Sequence, residues 1–324
     1  MKKNLLLLLL TFSLLSSWAQ KERRDSLRQV LQVQKGDTNR VRSLLALGNT
    51  YDVSEPDSSV QLAIEALSLS KKLGFLHGVG RSYMSMALSY RSIGNYAKAL
   101  GFALEALKLY EKDNDTAYIA SAYNGIGTIY RDQGNYREAL NNLLKGISLN
   151  SMLKGNYWRN ETALYINTGE TYLRLNRVDS ARTYTQHALA LVYQQNLQRI
   201  NPRSMGWLLQ VVANVHLAAG EYPLALDYFR MSLPNSLRMD DYLNTCKDYR
   251  GMAQTFANTG NKDSALYYAR NAVLFAQEKG LMDEVRQSST ILSSLFKNTA
   301  NTDSALFIWS LQRPQTILCS ASRI

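Results

Sequence analysis

The sequence predicts an all-α fold, a right-handed superhelical solenoid of about seven helix-turn-helix repeats. Three observations predict it. Apolar residues recur at spacings of three and four, as in Tyr123, Ile126, Gly127 and Tyr130, and strand-like alternation is absent. The stretch "YRSIGNYAKAL" at 90–100 returns as "YRDQGNYREAL" at 130–140. That echo belongs to a period running along most of the chain, and a helix pair of this size buries its apolar face only by stacking on further copies.

The chain opens with "MKKNLLLLLLTFSLLSSWAQ": two lysines, an apolar run from Leu5 to Leu15, then small residues with Ser17 and Ala19 placed for cleavage. This is the pattern of a secretory signal peptide. The run is shorter than the ~20 residues a membrane helix needs. Cleavage is expected after Ala19, with export to the periplasm or the cell exterior, so 1–19 is set apart from the fold. Residues 20–37 contain "RDSLRQVLQVQK", a short helix expected to cover the open N-terminal face of the array.

The repeats occupy 38–313. Aligned on the turn, Gly94, Gly134, Asn176, Gly220, Gly260 and Ala300 stand 40, 42, 44, 40 and 40 residues apart. Five residues after each comes Ala99, Ala139, Ala181, Ala225, Ala265 and Ala305. Four before each comes a ring: Tyr90, Tyr130, Tyr172, His216, Phe256 and Phe296. Seven before comes a small residue: Ala87, Gly127, Gly169, Ala213, Ala253 and Ser293. An earlier copy at 44–69 fits with a turn one residue shorter, which makes seven.

Gly or Asn at the turn supplies the left-handed backbone that ends a helix. Asp57, Asp179, Asp263 and Asp303 stand where they can cap the second helix and favour its positive end. The small residue and the alanine are expected to face each other where the two helices cross, with the ring filling the gap beside them. His216 in the ring column is expected to pack rather than to ligate. His77 is placed in a link between units, and His187 on a second helix. The seventh copy meets Pro314 early in its second helix, and 314–324 reads as an irregular tail. Two readings of that end stay open, a frayed natural terminus or a fragment of a longer protein.

Composition narrows the function. The net charge is +11, or +9 once Lys2 and Lys3 are removed, and the basic residues are scattered. Scatter and export argue against nucleic acid and leave a mild preference for acidic partners. The most apolar later stretch, 207–220, is too short to span a membrane and carries His216. Cys246 lies in a helix and Cys319 in the tail, which makes neither a disulfide framework nor a zinc motif. No H-E-x-x-H, G-x-S-x-G or phosphate-binding loop appears, so no catalytic residue, metal or cofactor is expected.

The stretch "YNGIGTIYRDQGNYREALNNLLKGISL" at 123–149 resembles the tetratricopeptide repeat, with Tyr123, Gly127, Tyr130, Ala139 and the "GNYREAL" turn in place. The resemblance covers 38–312; Thr168 and His216 depart from the pattern. The period exceeds that family's usual 34, as in its long variant, which implies extended helices and a longer link between units.

The resemblance implies that the first helix of each pair lines a concave groove holding peptides or partner helices. Its groove positions here would be Arg81, Met84, Leu88, Arg91, Asn124, Thr128, Arg131, Asn167, Glu170, Trp207, Gln210, Asn214, Lys247, Arg250 and Gln254. Amides there can bond a peptide backbone, and cations favour carboxylates. Glu170 is the one acid placed in the groove, which argues against hydrolysis by paired carboxylates. The expected function is a non-enzymatic, exported scaffold for protein or peptide partners. Long repeats behind a signal peptide also resemble the extracytoplasmic input regions of bacterial sensor kinases and transcriptional regulators, and this is the alternative. Apolar groups at the C-terminal end are expected to allow self-association.

Overall fold

A computed structural model of the chain describes residues 22–51, 55–153, 155, 157–194 and 202–297. Fourteen helices and no strand occur among them. Helix α1 covers 22–33. It is followed by α2 (Thr38–Gly48), α3 (Pro56–Lys72), α4 (Leu76–Ser92), α5 (Tyr96–Lys112), α6 (Thr116–Asp132), α7 (Tyr136–Ser151) and α8 (Trp158–Arg174). Then come α9 (Val178–Gln194), α10 (Pro202–Ala218), α11 (Tyr222–Arg238), α12 (Tyr242–Asn258), α13 (Lys262–Glu278) and α14 (Met282–Lys297). The signal segment, the turn at Ala300, Ala305, Asp303, Pro314 and Cys319 lie outside the described residues.

The period is explained by the elements. Most helices have 17 residues and most turns three, whether the turn lies inside a unit or between two units. The length beyond 34 therefore sits in the helices, and the expected longer link is found only after α7, at 152–157, and before α10, at 195–201. These two links account for the spacings of 42 and 44.

Every short turn uses the same device. Gly94, Gly134, Asn176, Gly220 and Gly260 all have positive φ, between 57° and 88°. Gly74, Asn114, Asp240 and Gly280 repeat it between units. At the first of these turns the Gly94 N–H bonds the Arg91 carbonyl and the Asn95 N–H bonds the Tyr90 carbonyl, closing the end of α4. The caps differ from expectation. Asn95, Asn135 and Asn261, one residue past the turn glycine, accept from Lys98, Glu138 and Ser264 N–H. Asp57, Asp179 and Asp263 lie inside the first helical turn, where they favour the helix dipole without capping.

The helix crossings follow the columns. Ala87, Ala99, Ala139, Ala181, Ala213, Ala225, Ala253 and Ala265 are fully buried. A Cβ added to Gly127 would stand 2.7 Å from Leu143 Cγ and 3.1 Å from the Ala139 carbonyl oxygen, so α6 and α7 cross too closely for a larger residue. Four members of the ring column stack on a second ring eight residues past the turn: Tyr90 on Phe102, Tyr172 on Tyr184, His216 on Tyr228 and Phe256 on Tyr268. His216 thus packs as a ring, while its Nδ1 lies 2.5 Å from Glu221 Oε2. His77 is inside α4 rather than in a link, within 3.5 Å of Asp113 and Asp115 carboxylates. Cys246 is a buried free thiol, and burial pushes it up to about 12.

Curvature decides which face is inside. Each even-numbered helix from α2 to α14 touches the next even-numbered one, whereas no odd-numbered helix from α3 to α13 touches the next odd-numbered one. The even helices are therefore the first helices of each pair and form the short, concave side of the solenoid.

Candidate functional site on the concave face

The concave surface is built from positions thirteen, ten, six and three residues before each turn, a stripe at helical spacing along α4, α6, α8, α10 and α12. Its centre is a connected set of polar side chains. Arg131 Nη1 on α6 donates to Asn167 Oδ1 at 2.7 Å and to Glu170 Oε2 at 2.9 Å, both on α8. Asn167 Nδ2 donates back to Asn124 Oδ1 on α6 at 2.9 Å. Arg131 also pairs with Asp132 at 3.0 Å, and Arg91 on α4 reaches Asp132 at 3.5 Å. Lys247 Nζ on α12 lies 3.8 Å from Glu170 Oε1. That pair passes over α10, which stands between α8 and α12. Further along, Arg250 on α12 is bonded to Glu284 on α14.

The electrostatics follow from this geometry. Burial pushes the Glu170 carboxyl up, but Arg131, Lys247, Arg174 and Arg91 outweigh it and hold the carboxyl down at about 2. Burial alone would make Arg131 a weaker base; Glu170 and Asp132 reverse that and raise it. Both groups stay charged through the physiological range.

The fifteen sequence-derived positions divide by exposure. Gln254 and Leu88 are exposed, and Arg81, Met84, Asn124, Trp207 and Asn214 are half-buried. Arg81 has no ion pair among the described residues. Thr128, Asn167 and Gln210 are buried, and the Thr128 hydroxyl bonds its own helix at the Gly125 carbonyl. Asn167 sits one residue off the stripe. Arg91, Arg131, Glu170, Lys247 and Arg250 are tied to groups of the same chain. Glu170 is not the one acid on this surface, because Asp132 and Glu284 join it. Asp132 follows Arg131 directly in the chain and is the one such neighbour visible without the structure. No group of three or more His, Cys, Asp or Glu that could hold a metal occurs among the described residues, and no described helix is long and apolar enough to cross a membrane.

Residues 79–112 and 118–194 each match a family model of the tetratricopeptide repeat. Among solved structures the chain resembles a Rap protein complexed with competence and sporulation factor, with a TM-score of 0.63 at 14% identity over 88% of this chain and 77% of that one. The apo quorum sensor NprR from B. thuringiensis gives 0.62 at 15% identity over 94% and 87%. Aspartyl phosphate phosphatase F from Bacillus subtilis gives 0.60 at 14% identity over 89% and 76%. At these identities the likeness is one of fold. No curated protein matches the chain.

Proposed function

Because the chain is a tetratricopeptide repeat protein, we propose that it is a non-enzymatic scaffold that binds a protein or peptide along its concave face. The observation that carries this is the continuous polar stripe from Arg91 through Asn124, Arg131 and Glu170 to Lys247, contributed by four separate helices. A surface of that kind offers a partner amide, guanidinium and ammonium groups over several repeats. Six cations (Arg81, Arg91, Arg131, Arg174, Lys247 and Arg250) stand among three acids (Asp132, Glu170 and Glu284), which favours an acidic partner. The leader at 1–19 supports export, and N-terminal sequencing of the secreted chain checks it: the mature protein is expected to begin at Gln20.

Substituting Arg131 or Arg250 would take the nearest cation from Glu170 or from buried Glu284 and disturb the fold. The binding test therefore uses Arg81→Ala and Gln254→Ala, whose side chains carry no internal ion pair. The protein is applied to an immobilised library of acidic and basic peptides. Binding of acidic peptides, weakened about tenfold in the double variant with helicity unchanged, supports the concave face as the site. Equal binding by the two proteins sinks it.

A sensory input region of a membrane-bound kinase or regulator is the second reading, favoured by the signal segment in front of long repeats. It predicts a reading frame beyond the codon for Ile324 that encodes a membrane span and an output domain. Sequencing the locus decides between them.

A further inference from the structure

The core between α10, α11 and α12 holds a carboxyl group that no cation touches among the described residues. Asp248 is 0% exposed. Its Oδ2 lies 2.9 Å from Ser232 Oγ and 2.9 Å from Ser236 Oγ, both on α11. Its Oδ1 has no hydrogen-bond partner among the described residues. Ser232 Oγ lies also 2.9 Å from the Gly206 carbonyl oxygen on α10.

These three contacts need three protons, and two hydroxyls carry only two. With a proton on Asp248 the count closes. The acid O–H donates to Ser232, Ser232 donates to the Gly206 carbonyl, and Ser236 donates to Asp248 Oδ2. As a carboxylate, Asp248 would draw both hydroxyl protons to itself, the Gly206 carbonyl would lose Ser232, and Oδ1 would become a bare anionic oxygen in the core.

The surroundings carry little to offset that. The charged groups bearing on Asp248 are Asp241, at the start of α12, which opposes ionisation, and Lys247, its neighbour on α12, which favours it. The Tyr249 phenol is coupled to it from the same helix. From α10 and α11 it is met by a carbonyl and two hydroxyls. Burial pushes the carboxyl well above the ordinary carboxylate range, further than the two serine bonds draw it down.

The same place is mechanically thin. Pro234 lies between the two serines inside α11 and withholds one helix hydrogen bond there. A Cβ added to Gly206 would stand 3.2 Å from Asn235 Cβ, so α10 and α11 are pressed together without slack.

We infer that the α10–α11–α12 junction is a proton-held joint, closed while Asp248 carries its proton and loosened when the proton leaves. Lys247, one residue away, is the group that crosses α10 to Glu170. Loosening α12 therefore also loosens that crossing, and the opening of the concave face follows pH. The inference stands whether or not that face binds a peptide.

Because the fold favours the neutral form, the joint is fully stable below the usual carboxylate range and weakens as pH rises through the shifted one. The test is an infrared spectrum of the mature chain at about pH 7, with thermal unfolding from about pH 5 to about pH 9. A C=O band of a buried protonated carboxyl is expected in the native chain and absent from Asp248→Asn. The melting temperature of the native chain is expected to fall across that range by more than that of Asp248→Asn. No such band, or equal pH slopes, would overturn the inference. If Asp248→Asn fails to fold, Ser232→Ala takes its place, and the band is expected to move because its hydrogen-bond acceptor is gone; an unmoved band overturns the inference.

Discussion

Glu170, half-buried, and Asp248, fully buried, are two carboxyls on first helices of the same solenoid, and they are held in opposite states. Glu170 faces the concave surface, where Arg131 and Lys247 meet it and Arg174 and Arg91 lie close enough to act on it. Asp248 faces the opposite way, into the core beside α11, where two serines meet it. Burial is common to both and pushes both up. What differs is whether the surroundings bring charge or only dipoles. One charged hydrogen bond from Arg131 and the ion pair with Lys247, joined by the charges of Arg174 and Arg91, outweigh burial, whereas two neutral hydrogen bonds do not. The concave face is thus an ionised network with a set geometry, and the joint beneath it is a neutral one that a proton can change.

The largest way to break this contrast is to remove the charge from the first region. Arg131→Met is expected to cost about 3 kcal/mol, because Glu170, with 12% of its side chain exposed, is left with only the more distant Lys247. Urea unfolding monitored by hydrogen exchange in α6 and α8 measures it. Stability that is local to repeats makes the regional signal more informative than one global midpoint.

The same size of effect should appear as acid sensitivity. The folded Glu170 carboxyl sits below its ordinary value of 4.5, at about 2. Its contribution is present above the unfolded value and is lost as pH falls through that window, on the order of 3 kcal/mol in total. Glu170→Gln is expected to flatten this acid limb of the stability curve and leave untouched the opposite limb, where Asp248 loses stability as pH rises. A variant that flattened both limbs would mean the two regions are one coupled site.

Smaller changes sharpen the comparison. Ser236→Ala removes one of the two bonds to Asp248 Oδ2 and is expected to cost about 1–2 kcal/mol, with the loss growing as pH rises. Lys247→Met removes the longest contact of the network and is expected to cost about 1 kcal/mol or less, since Arg131 still neutralises Glu170. Melting temperatures at matched pH check both.

Much of this architecture was legible before any coordinates. Gly94 and Gly134 had to end helices because their repeat leaves a left-handed residue at a fixed step. Gly127 and Ala139 had to face each other because only small residues recur at both columns. The site was legible in part. The stripe of Arg81, Asn124, Arg131 and Gln254 could be carried over column by column, yet which members are free was not visible. Asn167 lies one residue off the stripe, and a helical step of about 100° turns it toward α6, where it is buried under its bonds with Arg131 and Asn124. Glu284 went unread because its partner Arg250 lies 34 residues earlier, in the preceding unit. Nothing in the sequence sets Asp248 apart from the other polar residues of α12.

The sequence by itself determined the helical class, the register of the repeats and the chemistry of each turn. These depend on residue types at fixed local spacing, and each repeat states them again. Only the tertiary structure decided that α8 and α12 come near enough for Lys247 to reach Glu170, and that Ser232, Ser236 and the Gly206 carbonyl converge on Asp248. Those meetings depend on crossing angles and curvature accumulated over several repeats. No single repeat encodes that sum, and the charge state of a buried carboxyl depends on it.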